Sequence, residues 1–203
     1  MNSKFSRIAT ALTAALLPML LLASCGGTTT PSEPPLQGAR IGGPFTLTDQ
    51  DGKTVRDSDF AGKYRLVYFG YTFCPDVCPM DVAKMGAVMK ALDQSDPALA
   101  AKIVPIFISV DSKRDTPAVL KRFVGNFDSR IIGLTGSPEA IAAVAKAYAV
   151  PFEIHDPVAA GTGYLVDHGT ITYLMGPKGE PIAPLSHDMT PEQMTADIKK
   201  WVK

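Results

Sequence analysis

Cysteine is scarce in this chain: three residues among 203, at positions 25, 74 and 78. That is too few for the disulfide framework that staples small secreted domains, so a hydrophobic core has to hold the fold. An excess of charge of either sign is also missing. Lysine plus arginine and aspartate plus glutamate number 20 each. With no basic stripe or arginine cluster, nucleic-acid binding is unsupported. Internal repeats are not evident. Long apolar runs are absent except for one at the N-terminus.

That run, Ala11 to Ala23, is interrupted only by Thr13 and Pro18 and follows the positive residues Lys4 and Arg7. It ends in Leu22-Ala23-Ser24-Cys25, small residues before a cysteine. Residues 1–24 read as a bacterial export signal of the lipoprotein type, with Cys25 as the lipidated N-terminus of the mature protein. The stretch is short for a retained bilayer span, and acyl chains would supply membrane attachment without a helix. The expected location is the cell envelope, lipid-anchored to a membrane facing the periplasm. Residues 25–43 are mostly Gly, Thr, Ser, Pro and Glu and are predicted to be a flexible tether.

Residues 44–203 are one domain's worth of chain. Phe45–Thr48 and Lys53–Val55 flank Asp49-Gln50-Asp51-Gly52 and predict a hairpin with Asp-Gly in the turn. Arg65–Phe69 and Ile103–Val110 read as buried strands, the second with irregular pairing where Pro105 interrupts it. Helices are predicted over residues 79–93, 116–127, from Ser137, and from Thr190 to Trp201. Residues 150–167 read as irregular, with two short extended pieces around Gly161–Gly163. Thr170–Met175 and Ile182–Leu185 follow as strands. Strands and helices alternate through the middle and end in a hairpin and a helix, which predicts a layered α/β domain.

Chemistry concentrates in Tyr68-Phe69-Gly70-Tyr71-Thr72-Phe73-Cys74-Pro75-Asp76-Val77-Cys78-Pro79. The two cysteines stand between a strand and a helix start, where a thiolate is electrostatically favoured and exposed enough to react or bind metal. Pro79 suits the first helical position, which would put Asp81 in the first turn. The C-x-x-x-C spacing lets two sulfurs hold a soft ion such as Cu(I) or zinc between them. A plain disulfide or a pair of core thiols is the bland alternative. Two thiols do not complete a usual zinc or iron–sulfur site, so the missing donor is a histidine or an exogenous ligand. His155, His168 and His187 are available; His187 reads as a surface residue. Asp76 is either a contact residue beside the metal or a loop carboxylate capping nearby N–H groups. Asp111 ends a strand where α/β domains place sites, and Asp115 reads as a helix cap. Tyr71 and Phe73 either face a partner or pack.

Three blocks carry a family resemblance: Tyr68 to Pro79; Val110-Asp111-Ser112-Lys113-Arg114-Asp115-Thr116-Pro117; and Val166-Asp167-His168 followed by Tyr173-Leu174-Met175-Gly176-Pro177. In this order they resemble the Sco/SenC family of copper-binding, thioredoxin-fold proteins that help assemble cytochrome c oxidase. The resemblance implies a thioredoxin-like fold with an added N-terminal β-hairpin and an insertion before the His168 loop. It implies one copper, as Cu(I) or Cu(II), held by Cys74, Cys78 and His168; Asp76 and Asp167 are candidate contacts beside that site or toward a partner. The implied partner is the copper-carrying subunit of cytochrome c oxidase. Gly169 stands where many relatives have a small hydroxyl residue, a departure that removes no ligand. A thiol–disulfide oxidoreductase using Cys74 and Cys78 as a redox pair is the competing expectation.

Overall fold

A computed structural model describes residues 33–155 and 163–203. The expected export signal, the lipidation residue Cys25 and residues 26–32 of the tether lie outside the described residues. So do Gly161 and Thr162.

The centre of the fold is β3 (Tyr64–Gly70), in which every residue after Tyr64 is buried. Such a run has no polar face to offer water, so it must be covered on both sides. It lies parallel to β4 (Ile103–Ser109) in unbroken register from Tyr64↔Ile103 to Gly70↔Ser109. β5 (Ile132–Thr135) extends the parallel set beyond β4. The hairpin of β1 (Thr46–Asp49) and β2 (Thr54–Arg56) adds antiparallel strands outside β5. On the other side of β3, β8 (Thr172–Met175) and β9 (Pro181–Leu185) close the sheet antiparallel. The order is β2-β1-β5-β4-β3-β8-β9, and a separate two-stranded ribbon joins β6 (Phe152–Ile154) to β7 (Val166–His168). This is a thioredoxin-like α/β fold with the expected extra N-terminal hairpin. The expected insertion before His168 begins with β6.

The irregular pairing expected at Pro105 does not occur. Pro105 stands opposite Leu66 in the ladder, while β5 first pairs at Ile106. The missing N–H therefore has no β5 partner to disappoint.

Among the described residues, five α-helices pack around the sheet. α1 (Val77–Ser95) packs on α5 (Pro191–Trp201), and Val82, Met85, Val88, Met89 and Leu92 form the fully buried stripe that their spacing predicts. α2 (Pro97–Ala100) is a single turn absent from the sequence reading. α3 (Pro117–Gly125) lies on β5, and α4 (Pro138–Ala147) contacts β1. Four of these helices begin on a proline, and their N-caps Asp96, Thr116, Ser137 and Thr190 each accept a backbone N–H. Thr190 and Gln193 complete a reciprocal capping box.

Two features depart from the sequence pattern. The end of the predicted tether is part of the folded surface: Leu36 and Ile41 pack on the core, Leu36 N–H donates to Ile182 O (3.0 Å) and Gly42 N–H to Ala147 O (2.9 Å). Arg65, inside an apolar strand, is buried and ion-paired with Asp57. Among the described residues, no helix is long and apolar enough to cross a membrane.

Leu66 is wholly enclosed at the centre of the sheet. Leu66→Ala is expected to lower unfolding stability by about 2–5 kcal/mol through lost transfer energy and a residual cavity. Denaturant titration should show a lower midpoint with an unchanged slope.

Candidate metal centre

β3 and β4 run parallel and stop together at Gly70 and Ser109, so the loops after them emerge side by side. The first loop carries Cys74 and leads into α1. The helix starts at Val77 rather than at Pro79, placing Cys78 inside the first turn and Cys74 just before it. Asp76 occupies the N-cap position but makes no side-chain cap hydrogen bond, and it is exposed. The orphan N–H groups of the helix start find another acceptor: Cys78 N–H points to Cys74 Sγ at 3.5 Å. That contact places Cys74 Sγ at the N-terminal, positive end of α1.

The two sulfurs live in different surroundings. Cys74 is half-buried, whereas Cys78 is completely enclosed. Burial pushes the Cys78 thiol well above the ordinary thiol range, against a backbone hydrogen bond from Tyr71 that pulls it down. Gly70 makes room for this sulfur. A Cβ there would stand 2.8 Å from Cys78 Sγ and 3.1 Å from the Phe107 ring.

The third donor arrives on β7, whose last residue is His168. Its Nε2 lies 3.0 Å from Cys78 Sγ, and its Nδ1 lies 3.0 Å from Gly169 O. A carbonyl can only accept, so Nδ1 carries the proton and the Nε2 lone pair faces the sulfurs. The imidazole stands edge-on to Tyr68 (6.2 Å between ring centroids) and Tyr71 (5.8 Å). The Gly169 N–H donates to Pro151 O at 3.2 Å, tying the residue after His168 to the residue before β6. The donor atoms of Cys74, Cys78 and His168 all fall within 4.8 Å of one another. Two soft sulfurs and a pre-oriented imidazole suit a thiophilic ion such as copper better than a hard cation.

The other histidines stand apart from this group. His155 Nε2 pairs with the exposed Asp167 at 2.8 Å, across the β6–β7 ribbon. His187 was expected at the surface but is half-buried, with Nδ1 2.7 Å from Asp81 Oδ1. Asp81 in turn is buried and also meets Lys84 at 3.3 Å. Its expected first-turn position is lost because the helix starts earlier. No local signal pairs residues 106 apart.

The block after β4 does more than cap a helix. Thr116, not Asp115, caps α3, accepting from Val119 N–H. Buried Asp115 accepts the N–H and hydroxyl of Thr72 (2.9 and 2.6 Å) and the hydroxyl of Ser109 (2.6 Å). Desolvation raises its pKa, and these three donors oppose the rise. Tyr71 packs inside, while Phe73 remains exposed.

A family model described as SCO1/SenC matches residues 33–203. Protein SenC of Rhodobacter capsulatus is 47% identical over 159 residues, which is 78% of this chain and 69% of SenC. The structure of Bradyrhizobium japonicum ScoI with copper bound is 41% identical and covers 80% of this chain and 99% of that one, with a TM-score of 0.71. The structure of BsSco, described as having a disulfide switch and as a member of the Sco family of cytochrome c oxidase assembly proteins, is 27% identical. It covers 79% of this chain and 92% of that one, with a TM-score of 0.61. The chain spans 69%, 61% and 53% of the length of three curated relatives that it matches.

In metal-free reduced protein, iodoacetamide is expected to label Cys74 well before Cys78. Labelling of Cys78 should accelerate about tenfold per pH unit through and beyond the usual thiol range, because its raised pKa keeps it protonated there. Peptide mass mapping over a pH series checks both. Equal rates at the two positions would contradict the asymmetry.

Proposed function

The chain belongs to the SCO1/SenC family, and on that premise we propose that it is a membrane-tethered copper chaperone that binds one copper through Cys74, Cys78 and His168. The single observation carrying this reading is the convergence of two thiols and an imidazole within 4.8 Å at the end of a parallel strand pair. Two thiolates and Cu(I) leave a net charge of −1 and satisfy an ion content with few soft ligands. Cu(II) with the same thiolates is neutral and calls for further donors, imidazole among them. Cys74 and Cys78 thus hold either oxidation state, and His168 serves Cu(II) above all.

The proposed destination is the dinuclear copper centre of a cytochrome c oxidase subunit, as the family implies. Exposed apolar side chains support contact with a protein partner. Phe73 and Met80 flank the cysteines, and Leu165 and Ile171 flank His168. Asp76 and Asp167, both exposed, add acidic groups beside the donors. Lipidation at Cys25, after removal of residues 1–24, would hold the domain at the envelope membrane. The tether would raise its effective concentration near a membrane-bound client.

The asymmetry of the thiols supports a second activity on the same residues. Cys74 thiolate would attack a client disulfide, releasing one client thiolate and forming a mixed disulfide. Cys78, losing its proton, would then displace the second client thiolate, leaving a Cys74–Cys78 disulfide and a reduced client dithiol. Reduction of this kind would prepare a client's cysteines for metal.

The intact, detergent-solubilised protein, reduced under argon, is expected to bind one copper per chain. Cys74→Ala and Cys78→Ala should each abolish binding, while His168→Ala keeps Cu(I) and loses at least about tenfold in Cu(II) affinity. Metal analysis with the sulfur-to-copper absorption of the Cu(II) form checks this. Loss of Cu(I) with retention of Cu(II) in His168→Ala would overturn the assignment. Absent copper binding, with the dithiol still reducing client disulfides, would transfer the site to the second activity. Separately, Cys25→Ser is expected to move the protein from the membrane fraction to the soluble fraction, and wild type should gain the mass of its acyl groups on Cys25.

A further inference from the structure

Arg114 stands where the two halves of the metal site meet. Its guanidinium carbon lies 3.6 Å from the centroid of the Tyr164 ring, 4.9 Å from Phe73 and 5.5 Å from Tyr71. Tyr71 and Phe73 belong to the loop that carries Cys74, and Tyr164 precedes His168 by four residues. The contacts on the Tyr164 side are doubled by hydrogen bonds. Arg114 donates through one terminal nitrogen to Tyr164 O (2.8 Å) and through Nε to Asp111. Tyr164 hydroxyl donates to the same carboxylate at 2.7 Å. Asp111 is completely buried, and its charge is met on both oxygens. The second terminal nitrogen of Arg114 is buried with no acceptor, so the aromatic faces are its compensation.

The two sides need such a connection. Cys74 and Cys78 follow β3 in the central sheet, whereas His168 sits on β7 in a separate two-stranded ribbon that shares no ladder with that sheet. The ribbon is tied to the sheet through the short link from His168 to Thr172 of β8 and through Tyr71, which meets the Val166 backbone, and neither contact grips the Tyr164 end of the ribbon. We infer that Arg114 is a positioning residue that clamps the ribbon carrying His168 to the cysteine loop and so sets the separation of imidazole and sulfurs. Lysine cannot replace it: an ammonium has no planar fork to bond Asp111 and the Tyr164 carbonyl together while stacking on rings. The inference rests on the copper reading for its main readout, because His168 serves Cu(II) more than Cu(I).

The test compares Arg114→Lys and Tyr164→Phe with wild type in the intact protein, loading Cu(I) and Cu(II) separately. Arg114→Lys is expected to keep one Cu(I) per chain with affinity within about threefold. Its Cu(II) affinity should fall about 10- to 100-fold, as when a ligand's supporting contact is lost. The imidazole nitrogen coupling in the Cu(II) electron paramagnetic resonance spectrum should weaken with it. Tyr164→Phe, which removes only the hydroxyl bond to Asp111, should shift both readouts the same way by less. Retention of nitrogen coupling and of Cu(II) affinity within twofold in Arg114→Lys would overturn the clamp, as would equal losses of Cu(I) and Cu(II). If Arg114→Lys fails to fold, Tyr164→Phe decides, and wild-type spectra and affinities in that variant sink the proposal. If wild type takes no copper, the copper reading fails while the clamp is judged on metal-free protein by the ¹⁵N signals of the imidazole. His168 signals moving toward those of a free histidine in the variants would support the clamp, and unchanged signals would end it.

Discussion

The parallel pairing of β3 with β4 is the constraint from which the site follows. Its seven register pairs run from Tyr64↔Ile103 to Gly70↔Ser109 without a slip, so both strands end at one edge. A loop leaving one strand must then pass beside the loop leaving the other. Thr72 reaches Asp115 and Arg114 lies over Phe73 for this reason, although 43 and 41 positions separate them. Because β3 is buried on both faces, the loop after it starts from a backbone that cannot shift without disturbing the core. A rigid start to a reactive loop is what a site with close donor spacing requires.

Within that frame, the helix start and the enclosing aromatic rings make two cysteines of one motif unlike each other. Cys74 is half-buried and accepts a backbone N–H at the positive end of α1. Cys78 is sealed beneath Gly70 and faces His168. An accessible sulfur beside a buried one suits both metal exchange and stepwise disulfide chemistry. A soft ion or another protein's sulfur would meet Cys74 before Cys78, because Cys74 is the more exposed of the two. Copper handling and dithiol reduction are thus compatible uses of one arrangement.

Local patterns were legible wherever a short-range rule decides the outcome. The apolar stripe of α1, the Thr190 and Gln193 capping box and the strand before the cysteines all followed from periodicity or capping chemistry. Elsewhere a neighbour distant in sequence set the outcome. Proline at position 79 suggested the helix boundary, yet the first turn begins at Val77, because proline is also tolerated a little further inside the first turn, where no intrahelical N–H bond is lost. Pro105 looked disruptive until β5 proved too short to need its N–H. Leu36 and Ile41 sat in a composition typical of linkers, and only their packing on the core, with backbone hydrogen bonds to Ile182 and Ala147 nearby, makes this stretch part of the domain.

The sequence by itself determined the fold class, the cysteine motif at a strand–helix junction and, through three ordered blocks, the family and its expected donor set. These are properties of spacing and of local preference, which short segments carry with them. Tertiary structure alone decided that His168 Nε2 comes within 3.0 Å of Cys78 Sγ, that Asp115 holds the cysteine loop, that Asp81 is buried against His187, and that Arg114 bridges to Tyr164. Each of these joins residues from separate elements, and their approach depends on how sheet, helix and ribbon pack. No rule of neighbouring residues can express that geometry.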